Sequence, residues 1–225
     1  MIPGVYQMSF GGLTVREAWR FSRGPFPFVM ALILKLAGMK GTKLWLPACD
    51  AEKECTSAEF SDRAKAALVP IEANLLTLGY GTPLYTRQVR ICDPSCKEAF
   101  ALITLHRDGN RVIHVGFVVS TAGGFERQAV SITGGIMDAQ KDFTYDFVSH
   151  KNYLDAHGFA RRFHVKTACA FDTDETMKSF IAAHPGVARR FASVAEFRAR
   201  AMALDTKIWD LRIVRGLFSR VADQV

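Results

Sequence analysis

The sequence predicts an α+β fold: a mostly antiparallel sheet of about six strands, helices before it, and a long amphipathic helix after it. Three observations carry this. Strand-like runs follow one another from Leu84 to Phe171 at meander spacing, so neighbours reverse direction. Thr14-Val15-Arg16-Glu17, Thr56-Ser57-Ala58-Glu59 and Ser193-Val194-Ala195-Glu196 each have capping-box form, in which the hydroxyl and the carboxylate satisfy the free N–H groups that open a helix. Behind the last box an apolar stripe at spacings of three and four persists for about 28 residues.

The elements follow in order. Gly4 to Phe10 (GVYQMSF) reads as a short strand ended by Gly11-Gly12. In the helix opened by Thr14, Arg16, Arg20 and Arg23 fall on one side, with Val15, Ala18, Trp19 and Ser22 on the other. Gly24, Pro25 and Pro27 break the chain before Phe26–Met39, where Lys35 is the one charge. As a helix that run is about 21 Å long against about 30 Å of bilayer hydrocarbon, too short for a single span. An export signal is excluded by placement, because the run begins late and Lys40 and Lys43 follow it.

Residues 49–56 (CDAEKECT) are polar and read as a loop. Phe60, Ala64, Ala67, Leu68, Ile71, Leu75 and Leu78 then form one helical stripe closed by Gly79, and Pro70 within it predicts a kink or two abutting helices. Strands are expected at Leu84–Ile91, Phe100–Arg107, Arg111–Ser120, Phe125–Thr133, Phe143–His150 and Phe163–Phe171. Asp108-Gly109-Asn110 makes a tight turn, and Gly123-Gly124 and Gly134-Gly135 act as separators. A short helix is expected from Thr173 to about Ala183, stopped by His184-Pro185-Gly186. The final stripe is Phe197, Ala201, Leu204, Ile208, Leu211, Val214, Phe218 and Val221, with Gly216 its weak point; most of its basic opposite face is expected to be solvated.

Two units are expected: a basic, apolar helical segment over residues 1–48 and a single α+β domain over 49–225. An early strand, helices, consecutive strands and then a long helix is an order that resembles the START-like, or helix-grip, carriers. The resemblance implies a curved antiparallel sheet gripping the last helix, with an apolar ligand held between them. It is carried by element order, and no family residues are transferred with it.

Hydrophobic residues make up 49% of the 225 positions and charged ones 23%, which excludes a disordered chain. The net charge of +7 is uneven: residues 1–48 and 151–225 each carry +5, while 49–70 carry −2 and 71–150 carry −1. Basic ends point to an anionic partner. Nucleic acid is disfavoured, because Arg189-Arg190 and Arg198/Arg200 form a basic patch without an aromatic platform or recognition module.

Asp172-Thr173-Asp174-Glu175-Thr176 resembles the D-x-D-x-T signature of haloacid-dehalogenase-type phosphatases, which implies Asp172 as nucleophile, Asp174 as acid/base and a Mg²⁺ ion. That motif opens a parallel α/β fold, whereas the residues that follow here read as helix. Helix N-terminus chemistry is the favoured reading. Cys92 and Cys96 have the spacing of a zinc pair and Cys49 and Cys55 do not, so free thiols are favoured over a disulfide or a metal. His114 and His164 sit mid-strand and meet only if their strands are neighbours.

A short basic helix bearing a Trp, followed by a nearly uncharged segment, suits the headgroup boundary of an anionic membrane. A core helix behind a surface helix is the competing reading. The expectation is a non-enzymatic, cytoplasmic protein that meets an anionic membrane surface through residues 14–43. Arg16, Arg20, Arg23, Lys40 and Lys43 meet headgroups, while Trp19, Phe26, Phe28 and Leu32 enter the acyl boundary. Two alternatives stand beside it: a carrier of an apolar ligand, and a phosphatase- or thiol-type hydrolase. No cofactor or metal is expected, and the oligomeric state is left open.

Overall fold

A computed structural model describes residues 4–22, 25–46, 52–90, 95–149 and 160–221. In chain order they form β1 (Gly4–Ser9), α1 (Val15–Phe21), α2 (Pro25–Leu36), β2 (Lys40–Leu46), β3 (Glu52–Cys55), α3 (Asp62–Thr77), β4 (Leu84–Gln88) and β5 (Cys96–Leu105). β6 (Val112–Ala122), β7 (Phe125–Met137), β8 (Thr144–Val148), β9 (Ala160–His164), α4 (Ala170–Ala183), α5 (Val194–Val214) and β10 (Phe218–Arg220) complete them. The α+β class and the mostly antiparallel pairing stand as read.

Seven strands, in the order β3-β4-β5-β6-β7-β8-β9, make the main sheet; the β8–β9 pair alone is parallel. The seventh strand, β3, comes from the stretch read as a loop. It pairs antiparallel with β4 from Glu52 opposite Gln88 to Cys55 opposite Tyr85, and its charges are those an edge strand carries against further pairing. β7 runs straight through Gly134-Gly135, which sequence pattern took for a separator. A Cβ on Gly134 would lie 2.7 Å from Thr173 Cγ2 and 2.8 Å from Met177 Sδ, so the glycine admits α4 onto the strand instead of ending it.

The last expected strand stops at His164, well short of Phe171. Cys169 turns the chain into α4, its thiol accepting the Asp172 N–H at 3.4 Å, and the alternation through Phe171 is overridden by this cap. The Thr56 box closes only a 3-10 turn at Ser57–Glu59, and Ser61 caps α3 through the Ala64 N–H. α3 then continues through Pro70 as one helix and not as two abutting ones. α5 ends at Val214; Gly216, at φ +73°, reverses the chain into β10, so the 28-residue helix is 21 residues and a strand.

α3 and α4 cover one face of the main sheet over Leu68, Leu75, Ile113, Phe117, Ile132, Phe147 and Met177. Within that core the fully enclosed Asp174 accepts the Tyr80 hydroxyl at 2.7 Å and Arg111 Nε at 2.9 Å, with Lys178 Nζ 2.9 Å from its second oxygen. α5 lies on the opposite face against Ile103, Leu105, Val112 and Met137. β1 is the centre of a second sheet, in the order β10-β1-β2, so the chain's two ends pair directly. Tyr6, Met8, Leu13, Leu46, Leu217 and Phe218 form its core, with Trp209 and Ile213 of α5 packed against them. The Glu17 carboxylate takes both outer nitrogens of Arg215, at 3.0 and 2.8 Å, and ties α1 to the end of α5.

Candidate functional site

The capping box at Thr14 forms in full: Thr14 Oγ1 accepts the Glu17 N–H at 3.2 Å, and Glu17 returns a carboxylate oxygen to the Thr14 N–H at 2.8 Å. α2 then crosses α1 and the 3-10 turn at Phe10–Gly12. Its inward side is Phe28, Ala31, Leu32 and Lys35; Ala31 is buried, Phe28 stands edge-on to Trp19 at 5.0 Å, and Lys35 donates to the Gly11 carbonyl at 2.8 Å. The outward side is Phe26, Val29, Met30, Ile33 and Leu36, spaced as one helical stripe without a polar residue. Phe26 is 75% exposed, Ile33 50% and Leu36 86%. Val15 and Trp19 of α1 and Met39 beyond α2 are exposed as well.

The predicted residues divide accordingly. Arg16, Lys40 and Lys43 are exposed, as are Trp19 and Phe26. Phe28 and Leu32 are half-buried on the inward side, so the outward apolar surface belongs to Val29, Met30, Ile33 and Leu36, which sequence reasoning did not single out. The Arg20 side chain and Arg23 lie outside what the structure describes. The period of 3.6 within the run was the signal available: the stripe 26-29-30-33-36 is apolar, whereas the stripe 28-31-32-35 holds the small Ala31 and the lysine. Among the described residues no helix is long and apolar enough to cross a membrane.

A second feature lies between α5 and the main sheet. It is a cleft of about 510 Å³, bordered by Glu52 of one edge strand and Arg162 of the other, so the sheet curves around α5. Its apolar wall is Ile103, Val112, Phe197, Ala201, Leu204 and Ile208. Those of its charges that α5 supplies were read as a solvated face. Arg198 lies 3.5 Å from Glu52 and 2.8 Å from Glu54, and Arg162 lies 3.2 Å from Asp146. Asp205 accepts the Trp209 indole N–H at 3.0 Å, and the Arg212 guanidinium stacks over the Trp209 ring at 4.6 Å. Among the described residues the Arg212 side chain makes no hydrogen bond, and its Nε is shielded from water.

Burial pushes the Glu52 carboxyl up; Arg198 opposes this and Asp205 adds to it. Burial likewise pushes Asp205 up, against the Trp209 hydrogen bond and Arg212. Arg212 is shifted down by burial and by Arg162, with Asp205 opposing. His114, facing the same cleft, is held down by burial, so its imidazole is neutral at pH 7. Charges at 198, 205 and 212 recur every seven residues in phase with Ala201, Leu204 and Ile208; that was the sequence signal for a polar cleft beside the apolar stripe.

The remaining candidates are dispersed. Asp172 accepts from the Thr167 hydroxyl at the start of α4, and Asp174 is locked in the core network, so no open acidic pair forms. His114 and His164 stand three strand positions apart, on β6 and β9. Cys49 and Cys92 lie outside the described residues, and with them the disulfide and zinc alternatives. Among the described residues no three His, Cys, Asp or Glu side chains gather as a metal site.

The chain matches no protein-family model, and comparison with the curated proteins and with the solved structures finds no match.

Proposed function

We propose that this protein associates peripherally with an anionic membrane surface, with α2 lying in the headgroup–acyl boundary. The observation that carries the proposal is the outward stripe of α2: five apolar side chains in helical register that the protein's own fold leaves uncovered. Removing one such half- to mostly-exposed side chain from water is worth about 1–2 kcal/mol, so the stripe supplies about 5–10 kcal/mol before the costs of association. Arg16, Lys40 and Lys43 favour an anionic leaflet by about 1 kcal/mol each when near its surface.

Truncating the segment is a poor test, because β1 and β2 are two of the three strands in the small sheet. Serine substitutions at Phe26, Val29, Ile33 and Leu36 leave that sheet intact. In co-sedimentation, wild type is expected to pellet with phosphatidylserine-containing vesicles, less so with phosphatidylcholine alone, and the variant to stay in the supernatant. Equal pelleting of both proteins, insensitive to salt and lipid charge, overturns the proposal.

A second reading has one observation in its favour. The cleft between the curved sheet and α5 is where a helix-grip carrier would hold a ligand, and its volume falls within the range of small-molecule sites.

A further inference from the structure

The cleft charges come as two like-signed sets. Asp205 raises the cost of ionising Glu52, and Arg162 raises the cost of keeping Arg212 charged. Glu52 has Arg198 and Arg162 has Asp146 as ion-pair partners, whereas Asp205 and Arg212 have no ion-pair contact among the described residues. Both are nevertheless fixed. Trp209 donates to Asp205, carries Arg212 on its face, and is itself held edge-on by Phe218 at 5.0 Å. A rigid carboxylate and a rigid guanidinium thus stand about two helical turns apart on α5, beside Ala201, Leu204 and Ile208.

Neither a simple anion nor a simple cation suits this arrangement. An anion at Arg212 meets Asp205, and a cation at Asp205 meets Arg212. A molecule bearing both signs answers both sets, and the apolar wall requires that the rest of it be hydrophobic. We infer that the cleft binds a small zwitterion with an apolar body, of the kind an apolar α-amino acid or a short apolar peptide presents. Its ammonium group sits against Asp205 and Glu52, and its carboxylate sits against Arg212, where a guanidinium offers paired donors. His114, neutral and without a protein hydrogen bond among the described residues, lines the same space as a further polar contact.

This inference rests on the cleft-based reading and is independent of the membrane proposal, so its test contains no lipid. Calorimetric titration of the full chain uses four probes of one shape: L-phenylalanine, N-acetyl-L-phenylalanine without the cation, L-phenylalaninamide without the anion, and N-acetyl-L-phenylalaninamide without either. Phenylalanine is expected to bind at least tenfold more tightly than each singly charged probe. Asp205→Asn is expected to abolish its advantage over the N-acetyl acid, and Arg212→Met its advantage over the amide. The ligand series needs only the wild type, so a variant that does not fold leaves the comparison intact. Equal saturable binding of all four probes overturns the zwitterion inference while sustaining the carrier reading. Absence of saturable binding by any probe overturns both.

Discussion

Replacing Asp174 by Ala removes the acceptor of the Tyr80 hydroxyl and the nearer, enclosed counter-charge of Arg111 in one step, leaving the guanidinium the half-exposed Asp108 carboxylate at 3.7 Å as its ion-pair contact among the described residues. Asp174 is wholly enclosed and Arg111 is 5% exposed, so the guanidinium left behind has little water to turn to. Breaking a buried pair from one side costs about 3–5 kcal/mol, and the unpartnered phenol adds about 1 kcal/mol. Against a total stability of about 5–15 kcal/mol for a domain, that is a large fraction. Urea unfolding followed by circular dichroism is expected to show the loss as a lower midpoint at unchanged slope. Asp174→Ala/Arg111→Met removes both charges and is expected to cost at least about 2 kcal/mol less than the two single changes added together.

Acid sharpens the same test. Burial pushes the Asp174 carboxyl up, but Lys178, Tyr80 and Arg111 together outweigh it and hold it below its ordinary value. With the folded value the lower one, the ionised group stabilises the protein above the unfolded value, near pH 4, and that contribution fades as pH falls through the folded value. Wild type is therefore expected to lose stability more steeply than Asp174→Asn on acidification below about pH 4. An Asp174→Ala cost under about 1 kcal/mol, or strict additivity with Arg111→Met, would refute this account of the core.

Three further outcomes are expected. Burial opposes ionisation of Glu17, yet Arg215 and Thr14 pull its pKa down to about 2, so Glu17→Gln should cost about 2 kcal/mol at pH 7 and flatten the acid limb between about pH 5 and pH 2, measured by denaturant midpoints. Gly134→Ala sets a methyl against Thr173 and Met177 and should destabilise by about 1–3 kcal/mol, seen as a lower melting temperature. Phe26→Ser/Leu36→Ser touches two mostly exposed side chains and should leave the unfolding free energy within about 0.5 kcal/mol of wild type.

Local chemistry made much of the fold legible. The Thr14 and Ser193 caps, the Asp108–Asn110 turn and the alternation along β6 each fix their element with residues adjacent in sequence. The misjudged positions depend on partners far along the chain. Glu52–Cys55, within the stretch read as a loop, becomes a strand because β4 offers it an edge, and Gly134 stays within β7 because α4 arrives some 40 residues later to occupy the space of its missing side chain. Phe218 leaves the helical stripe because β1 supplies a pairing edge from the other end of the chain. The candidate site shows the same split. The apolar run was visible as a run, but which of its faces is covered depended on α1 and the Phe10–Gly12 turn. The cleft was hidden because a charged helix face reads as solvated until a curved sheet is laid across it.

The uncovered stripe of α2 is tested most directly by where its side chains go when lipid is present. Methionines bearing ¹³C-methyl groups report this without altering the surface, with Met30 in the stripe, Met39 beside it, and Met8, Met137 and Met177 buried as internal references. With phosphatidylserine-containing nanodiscs carrying a nitroxide in the upper acyl chain, the Met30 and Met39 signals are expected to broaden while the three references stay sharp. Met30 and Met39 signals no broader than those of the buried methionines would contradict the membrane account.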